Sequence, residues 1–376
     1  MYKVLLASRA DYMDLTGEIP FIFKKAGCTV HVYCTKKGWL LSNSYYDKWI
    51  ESYESEKEFQ VMLINIAETG EYDWIVPMDD ECVKTMNSCI TSDDTFKKIL
   101  PLTKIENREI LSSKVGLSNA CKKYAIPTPG YINYSEIQDI ATINQTLTYP
   151  ILLKEDFSFS GHGIQYCNDP SLLASCLERV RDKRNLVLQE FIKGKDLGVE
   201  ALFKNGELVT YNAAEVKDYM NNTFSFTTKR IYAPNKDIED HLVILGKSLG
   251  LNGFASIGYI YHPERNIYYL IEVDARVNSW MAYGRFTGHN FTDGIRRITQ
   301  WESGGKENKA TKPGKKIEIA IFDRDVRRCI KHKDYKGLMK WLVNHKGYWK
   351  FIPLYDSRLL KRILKKMMFD FLKIQY

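Results

Sequence analysis

Three short segments carry side chains that could act together on a charged substrate. The first runs Lys154-Glu-Asp-Phe-Ser-Phe-Ser-Gly-His-Gly163. A β-rich run ends in Lys154, and a loop holding Ser158, Ser160, Gly161 and Gly163 comes after it. Small residues let backbone N–H groups approach phosphate oxygens while the lysine supplies charge; a plain hairpin is the alternative. The second is Leu188-Gln-Glu-Phe-Ile-Lys-Gly-Lys-Asp196. The backbone of a strand exit such as Gln189, Glu190, Phe191 and Ile192 can read an adenine edge, and Asp196 can accept from ribose hydroxyls. The third is Leu270-Ile-Glu-Val-Asp-Ala-Arg276. Strand alternation puts Glu272, Asp274 and Arg276 on one face. Two carboxylates beside an arginine call for a cation and an anion between them, a demand that magnesium and nucleotide phosphates meet. A surface salt-bridge ladder is the bland reading of the same residues.

The elements that must position these segments alternate early in the chain. Residues 3–8 read as a buried strand, Leu15 to Ala26 as a helix stopped by Gly27, and Thr29–Cys34 and Asp73–Met78 as further strands. That order predicts a parallel α/β lobe with loops at the strand ends. Asp79-Asp80-Glu81, just after the last strand, suits a helix N-terminus as well as a substrate contact. A helix is expected around Arg108–Tyr124. Further strands are expected at Leu186–Ile192, Val199–Phe203, Gly253–Tyr261 and Ile267–Val273, with a helix at Ile238–Leu249. The mainly antiparallel layout places a domain boundary near residue 100.

In this order and at these separations the segments resemble the ATP-grasp superfamily, over roughly residues 1–300. The matching pieces are Lys114 ahead of a helix, Pro150 to Lys154 with its loop to Gly163, Gln189 to Ile192, and Glu272 to Arg276. The likeness is to the carboxylate–amine ligase and carbamoyl-phosphate-synthase-like branch, whose last motif usually reads Glu-x-Asn-Pro-Arg; Asp274 and Ala275 depart from it. Asn278-Ser279-Trp280 and Gly288-His289-Asn290-Phe291 also resemble the residues that come after that motif in such ligases. The resemblance implies a Rossmann-like domain at 1–100, a two-part ATP-grasp domain at 101–304 with a mobile lid at about 128–190, and a basic C-terminal extension at 305–376. It implies ATP and magnesium as cofactors. Lys114 and Lys154 would hold phosphates, residues 158–163 would form the flap, Glu190 to Ile192 would bind adenine through backbone with Leu270 against the ring, and Asp196 would bind ribose. Glu272 and Asp274 would hold the metal, and Arg276 with Lys154 would act on the transferring phosphoryl group. A further ligand usual in the family falls here on Gly258, which predicts weak or single-site metal binding.

The implied reaction activates a carboxylate as an acyl phosphate and passes it to an amine, so both substrates are small molecules. Arg9, Asp80 and Arg285 are candidates to line the cleft between the lobes, and Arg9 with Arg285 could clamp a carboxylate. Lys229-Arg230 could reach phosphates or an anionic substrate. Acyl transfer of this kind needs no nucleophilic Ser or Cys, and none is signalled. A non-catalytic nucleotide-binding module is the rival reading, with Gly258 its support.

Composition trims other classes. No apolar run reaches the length of a membrane span, and the start of the chain reads as a strand rather than a signal peptide, so a cytoplasmic protein is expected. The eight cysteines are scattered without a C-x-x-C pair, which speaks against a zinc site or disulfide framework. The net charge of +8 is uneven: from Lys306 on there are 20 bases against 7 acids, and the rest of the chain is mildly acidic. With an acidic body and no RRM, KH or zinc-finger pattern, nucleic acid is not an expected partner. Val326–Val343 is expected as one helix. Ser357–Lys373 is expected as an amphipathic helix whose apolar side (Leu359, Leu360, Ile363, Leu364, Met367, Met368, Phe371, Leu372) docks on the body; the other reading is an interfacial contact with an anionic membrane or an acidic partner.

Overall fold

The computed structural model describes residues 1–12, 14–135, 139–158, 163–180, 182–183, 185–302 and 316–374. The first lobe alternates as its sequence pattern demands: β1 (Lys3–Ala7), α1 (Ile19–Lys25), β2 (Thr29–Cys34), β3 (Lys48–Glu51), α2 (Glu56–Glu68), β4 (Trp74–Pro77), α3 (Asp80–Cys89) and α4 (Asp93–Ile99). Its four strands form a parallel sheet in the order β3-β2-β1-β4. Val4, Leu5, Leu6 and Ala7 have no exposed surface, as expected of a central parallel strand covered on both faces.

Residues 105–111 form a 3-10 run, so the helix expected from Arg108 begins only at α5 (Lys114–Lys123), capped by Ser113. A small antiparallel sheet then gathers β5 (Tyr131–Asn133), α6 (Ile140–Thr146), β6 (Ile151–Glu155), β7 (Gln165–Cys167), α7 (Pro170–Arg179) and β8 (Leu186–Glu190), with strand order β5-β8-β6-β7. It closes over its own core of Ile143, Ile151, Leu153, Leu173 and Leu188. The large antiparallel sheet comprises β9 (Lys195–Lys204), β10 (Glu207–Tyr219), β11 (Thr227–Tyr232), β12 (Gly253–His262) and β13 (Ile267–Asp274), with α8 (Lys236–Leu249) between β11 and β12. After it come α9 (Gly284–Thr287) and α10 (Phe291–Glu302).

The basic C-terminal segment is not an appendage. Its strand β14 (Ile317–Ala320) pairs antiparallel with β11 and completes the order β13-β12-β9-β10-β11-β14. The expected single helix at 326–343 is broken into α11 (Phe322–Lys331) and α12 (Tyr335–Leu342), because Lys333 takes a left-handed φ of +54° and Asp334 caps the second helix. α13 (Ser357–Ile374) then returns to the first lobe. Asp356, just before it, accepts from Ser44 N at 2.6 Å, and Arg362 donates to Gly38 O at 2.8 Å and stacks over Trp39. The expected docking side holds in part, with Ile363 and Phe371 packed against the body beside Met367. Leu359 and Met367 are buried, but Leu364, Met368 and Leu372 face outward while Arg362 and Lys366 turn in. The inward bases have polar partners to reach, Gly38 O and Asp14, which apolar periodicity cannot reveal. Among the described residues no helix is long and apolar enough to cross a membrane.

Candidate functional site

The site forms where β6, α5, β13 and the C-terminal end of the first-lobe sheet converge. Lys154 is nearly fully buried on β6, and its ammonium donates to Gln189 Oε1 on β8 at 2.6 Å. Burial pushes Lys154 down to about 8; the neighbouring Lys114 ammonium adds to this, and Glu272 opposes it. Lys114, at the start of α5, points the same way. Its Nζ donates to Asp156 O at 3.0 Å and to Ser158 O and Oγ at 3.1 and 3.2 Å. Asp156 in turn accepts from Val115 N at 2.9 Å, so the base of the flap and the N-terminus of α5 hold each other. Burial lowers Lys114 as well, against the pull of Glu272, Asp156 and Asp274.

Opposite the lysines, β13 presents Glu272, exposed, and Asp274, half-buried. Arg276 lies beyond the strand end. It is buried and donates from Nη2 to Asp274 Oδ2 at 2.7 Å and from Nε to Asp80 Oδ1 at 2.7 Å. Burial and the adjoining carboxylates of Glu272 and Asp80 push Asp274 well above the usual carboxylate range despite Arg276, whose own value is raised by Asp274 and Asp80 against its burial. Three carboxylates around one guanidinium, facing two ammonium groups, form a site built for bound charge of both signs.

The acidic triplet after β4 divides its roles. Asp79 caps α3, accepting from Cys82 N at 2.8 Å, and also accepts from Ser8 Oγ and Arg9 N, which ties the ends of β1 and β4 together. Asp80 turns to Arg276 and keeps Oδ2 buried without a hydrogen-bond partner. Arg9 lies 3.7 Å from Glu81 and 3.4 Å from Glu56, with its Nε also buried and unpartnered. Tyr12 stands over this group; partial burial, then Glu81, Asp79 and Asp80, push its hydroxyl to about 12.

Other expected residues are placed differently. Arg285 forms an ion pair with Glu18 at 3.3 Å and stacks between Phe286 and Tyr355, so it is not joined to Arg9 in a clamp. Leu270 has no exposed surface, and its main chain bonds Pro127 O and Thr128 Oγ1. A β-bulge between Gly258 and Tyr259 shifts the strand alternation there, which leaves the half-buried Ile271 rather than Leu270 with apolar surface to offer. At the hinge, Glu190 N donates to Gly130 O and Phe191 N to Pro150 O; among the described residues the Ile192 N–H has no such partner. Asp196 accepts a hydrogen bond from the Tyr219 hydroxyl, and burial raises its pKa. Gly163 has a φ of +76°, whereas Ser160 and Gly161 lie outside the described residues.

In the sequence Lys229 and Arg230 are one charge pair, and the structure separates them. Lys229 joins Asp218 and Asp325 in a buried cluster under the C-terminal segment. Arg230 lies over the sheet, donating to Glu200 at 2.7 Å and stacking on Trp280. Its guanidinium occupies the space above Gly198, where a Cβ would come within 2.4 Å of it. Gly198 pairs with Gly258, and Gly258 with Glu272. A floor of two glycines therefore runs from the metal-ligand candidate to Arg230. The two glycines are the available signal, each legible only once the strands are aligned.

A lysine-bearing antiparallel sheet beside a larger one, with a carboxylate–arginine strand opposite, is the arrangement expected of an ATP-grasp domain. Comparison with known proteins agrees: residues 111–279 match the family model described as ATP-grasp domain. A relative, D-alanine–D-alanine ligase from Carboxydothermus hydrogenoformans, is 22% identical over 216 residues, covering 51% of this chain and 64% of the relative. The match thus spans less than two thirds of that enzyme. Among solved structures, N5-carboxyaminoimidazole synthetase from Staphylococcus aureus complexed with ADP aligns with a TM-score of 0.65 at 14% identity, over 89% of this chain and 86% of that one. The biotin carboxylase domain of 2-oxoglutarate carboxylase from Hydrogenobacter thermophilus, in complex with MgADP, ADP and bicarbonate, aligns with a TM-score of 0.60 at 16% identity, over 82% and 71%.

Proposed function

We propose that this chain is an ATP- and magnesium-dependent ligase that joins a carboxylate to an amine through an acyl phosphate, releasing ADP and phosphate. The observation that carries the reading is the bridge by which Arg276 holds Asp274 of the ATP-grasp sheet and Asp80 of the first lobe at once. It joins the phosphate-handling residues to the cleft where the substrates would sit. The relatives support the class: one is a ligase of two amino acids by its name, and two structural neighbours hold ADP, one of them with magnesium.

The residues fit the nucleotide and the metal. Lys154 and Lys114 match phosphate charge, and Ile192 N–H is the hinge donor left for a base. Glu272 and Asp274 would be the oxygen donors for magnesium, which when bound would neutralise charge on phosphate oxygens. No group of three or more carboxylate, His or Cys side chains is gathered for a metal among the described residues, so phosphates and water would supply the remaining ligands. Arg276 would stabilise charge on the transferring phosphoryl group, and Arg230 would face it across the glycine floor. Lys114 would exchange Ser158 for phosphate, which frees the base of the flap to close and keep water from the acyl phosphate. Asp80 Oδ2 and Arg9 Nε, both buried and unpartnered, are an acceptor and a donor ready for the amine and the carboxylate.

Gly258, opposite Glu272 where a further ligand would stand, favours a second reading, a nucleotide-binding module without turnover. Isothermal titration of ATP with magnesium into wild type and Lys154→Ala, with an ADP-release screen over amino acids and sugar acids, separates the two. Binding lost in the variant and ADP release that needs both a carboxylate and an amine establish the ligase. Binding without release across the screen selects the module, and no binding overturns both.

A further inference from the structure

The outward stripe of α13 has an unusual composition for a helix at the surface. The exposed positions are Ser357, Arg358, Lys361, Leu364, Lys365, Met368, Phe369 and Leu372, at intervals of three and four, so they form one continuous strip along the axis. Leu364 is 42% exposed, Met368 66%, Phe369 54% and Leu372 56%. Half of the exposed large hydrophobic residues of the described chain lie between Tyr335 and Leu372, a tenth of its length.

The charges on the strip are of one sign. Arg358, Lys361 and Lys365 make no ion pair among the described residues; Arg358 reaches only the Tyr46 hydroxyl, and Lys365 lies over Phe369. The described bases on the inward side have partners: Arg362 the carbonyls of Lys37 and Gly38, Lys366 the carboxylate of Asp14. The helix's one acid, Asp370, is turned to Arg327. The fold thus keeps its acid inside and leaves three uncompensated bases beside four large apolar side chains.

We propose that this strip is a docking surface for an anionic lipid bilayer, with Leu364, Met368, Phe369 and Leu372 entering the interface and Arg358, Lys361 and Lys365 meeting lipid phosphates. Amphipathic helices that lie in the interface pair large apolar side chains with Lys and Arg in this way. A second copy of the chain fits less well, because self-association would bring two sets of uncompensated bases into one small interface. An acidic protein would satisfy the bases but has no evident need of Met368, Phe369 and Leu372 together. Through Lys366 and Asp14 the docked helix is held to the segment that comes after Arg9 and Tyr12, so a membrane-bound enzyme would present its cleft in a fixed orientation.

The test is co-sedimentation of the full chain with phosphatidylcholine vesicles, with and without about one third phosphatidylglycerol. Wild type is expected to bind the anionic vesicles only, and to be released as salt rises from about 0.1 M to 1 M. Lys361→Gln with Lys365→Gln should weaken partitioning about fivefold per base removed. Met368→Ser with Phe369→Ser should weaken it at unchanged charge. The control Lys57→Gln with Lys122→Gln removes the same charge from exposed positions elsewhere and should bind as wild type. All six residues are exposed, so thermal melts should match. No binding of wild type, or equal loss in the control, overturns the proposal. Sedimentation of the wild type as a dimer that Met368→Ser with Phe369→Ser dissociates would overturn it in favour of a second copy.

Discussion

Arg276 Nε and Asp80 Oδ1 lie 2.7 Å apart although 196 residues separate them in the chain. One sits at the end of the large antiparallel sheet and the other at the first turn of α3 in the first lobe. Both are largely buried, so a change at either is felt in both lobes. Asp80→Asn keeps an acceptor for Arg276 but removes the charge. Nucleotide binding by titration is expected to stay within about threefold, while ADP release falls at least about tenfold, because Lys114 and Lys154, proposed to hold phosphate, are untouched and the cleft is not. Loss of nucleotide binding equal to the loss of turnover would place Asp80 in the nucleotide site rather than between the sites.

Lys154 is a buried ammonium whose pKa falls from 10.5 to about 8 on folding. Between those values the unfolded chain holds the proton and the folded one does not. The stability of the nucleotide-free protein therefore rises as pH increases from about 8 to 10.5 and is lowest below 8, where the charge must be buried. The difference is on the order of 3 kcal/mol. Lys154→Met should reduce this rise, as read by urea unfolding across that pH range, leaving the part contributed by Lys114, and should lose ATP binding as well. Its gain in stability at neutral pH is reduced because Gln189 Oε1 loses its donor. An unchanged pH slope would show that another group carries it.

What the sequence makes legible are the segments whose chemistry is local. The strand into Lys154 and the Glu272 to Arg276 run are each read within a few residues, and the structure brings their side chains together. Leu270 escapes that reading because one bulge at Gly258 and Tyr259 shifts an alternation that otherwise holds. Arg285 has the look of a substrate clamp because nothing in its neighbours announces Glu18, 267 positions earlier. For α13 the helix and its docking through Leu359, Ile363, Met367 and Phe371 are legible, but Asp14 and Gly38 draw Lys366 and Arg362 inward and leave Leu364, Met368 and Leu372 outside. For β14, only its pairing with β11 shows that the basic segment completes the large antiparallel sheet.

Gly258 stands opposite Glu272, and a Cβ there would meet Ile271 Cγ1 at 3.3 Å and Glu272 Cβ at 3.5 Å. Its φ does not require glycine, and the one close neighbour, the branched Ile271 side chain, need give by only a few tenths of an ångström. Gly258→Asp should therefore fold and place a third carboxylate beside Glu272. The expected outcome is magnesium dependence of ADP release, or of ATP binding, that saturates at roughly tenfold lower metal concentration than in wild type. Unaltered dependence would mean that the floor beneath Glu272 is not where metal sits.

Gly198 has the opposite constraint. A Cβ at this position would lie 2.4 Å from Arg230 Nη1 and 2.5 Å from Cζ, so Gly198→Ala must drive the guanidinium off its seat. That displacement breaks the pair with Glu200, which is fully buried and would keep its carboxylate without its cation. Stability should fall by about 3 kcal/mol, as for the loss of one partner of a buried ion pair. Arg230→Ala should cost a similar amount for the same reason. Once Arg230→Ala has emptied the space above β9, the methyl group added by Gly198→Ala has room. The second change should then cost little more, and the two should be strongly non-additive in denaturant unfolding. Additive losses would show that Gly198 is required by the β9 backbone itself and not by the arginine above it. The same double-mutant cycle read in ADP release asks whether Arg230 acts on the reaction: if it does, Gly198→Ala lowers turnover as Arg230→Ala does, and the double variant lowers it no further.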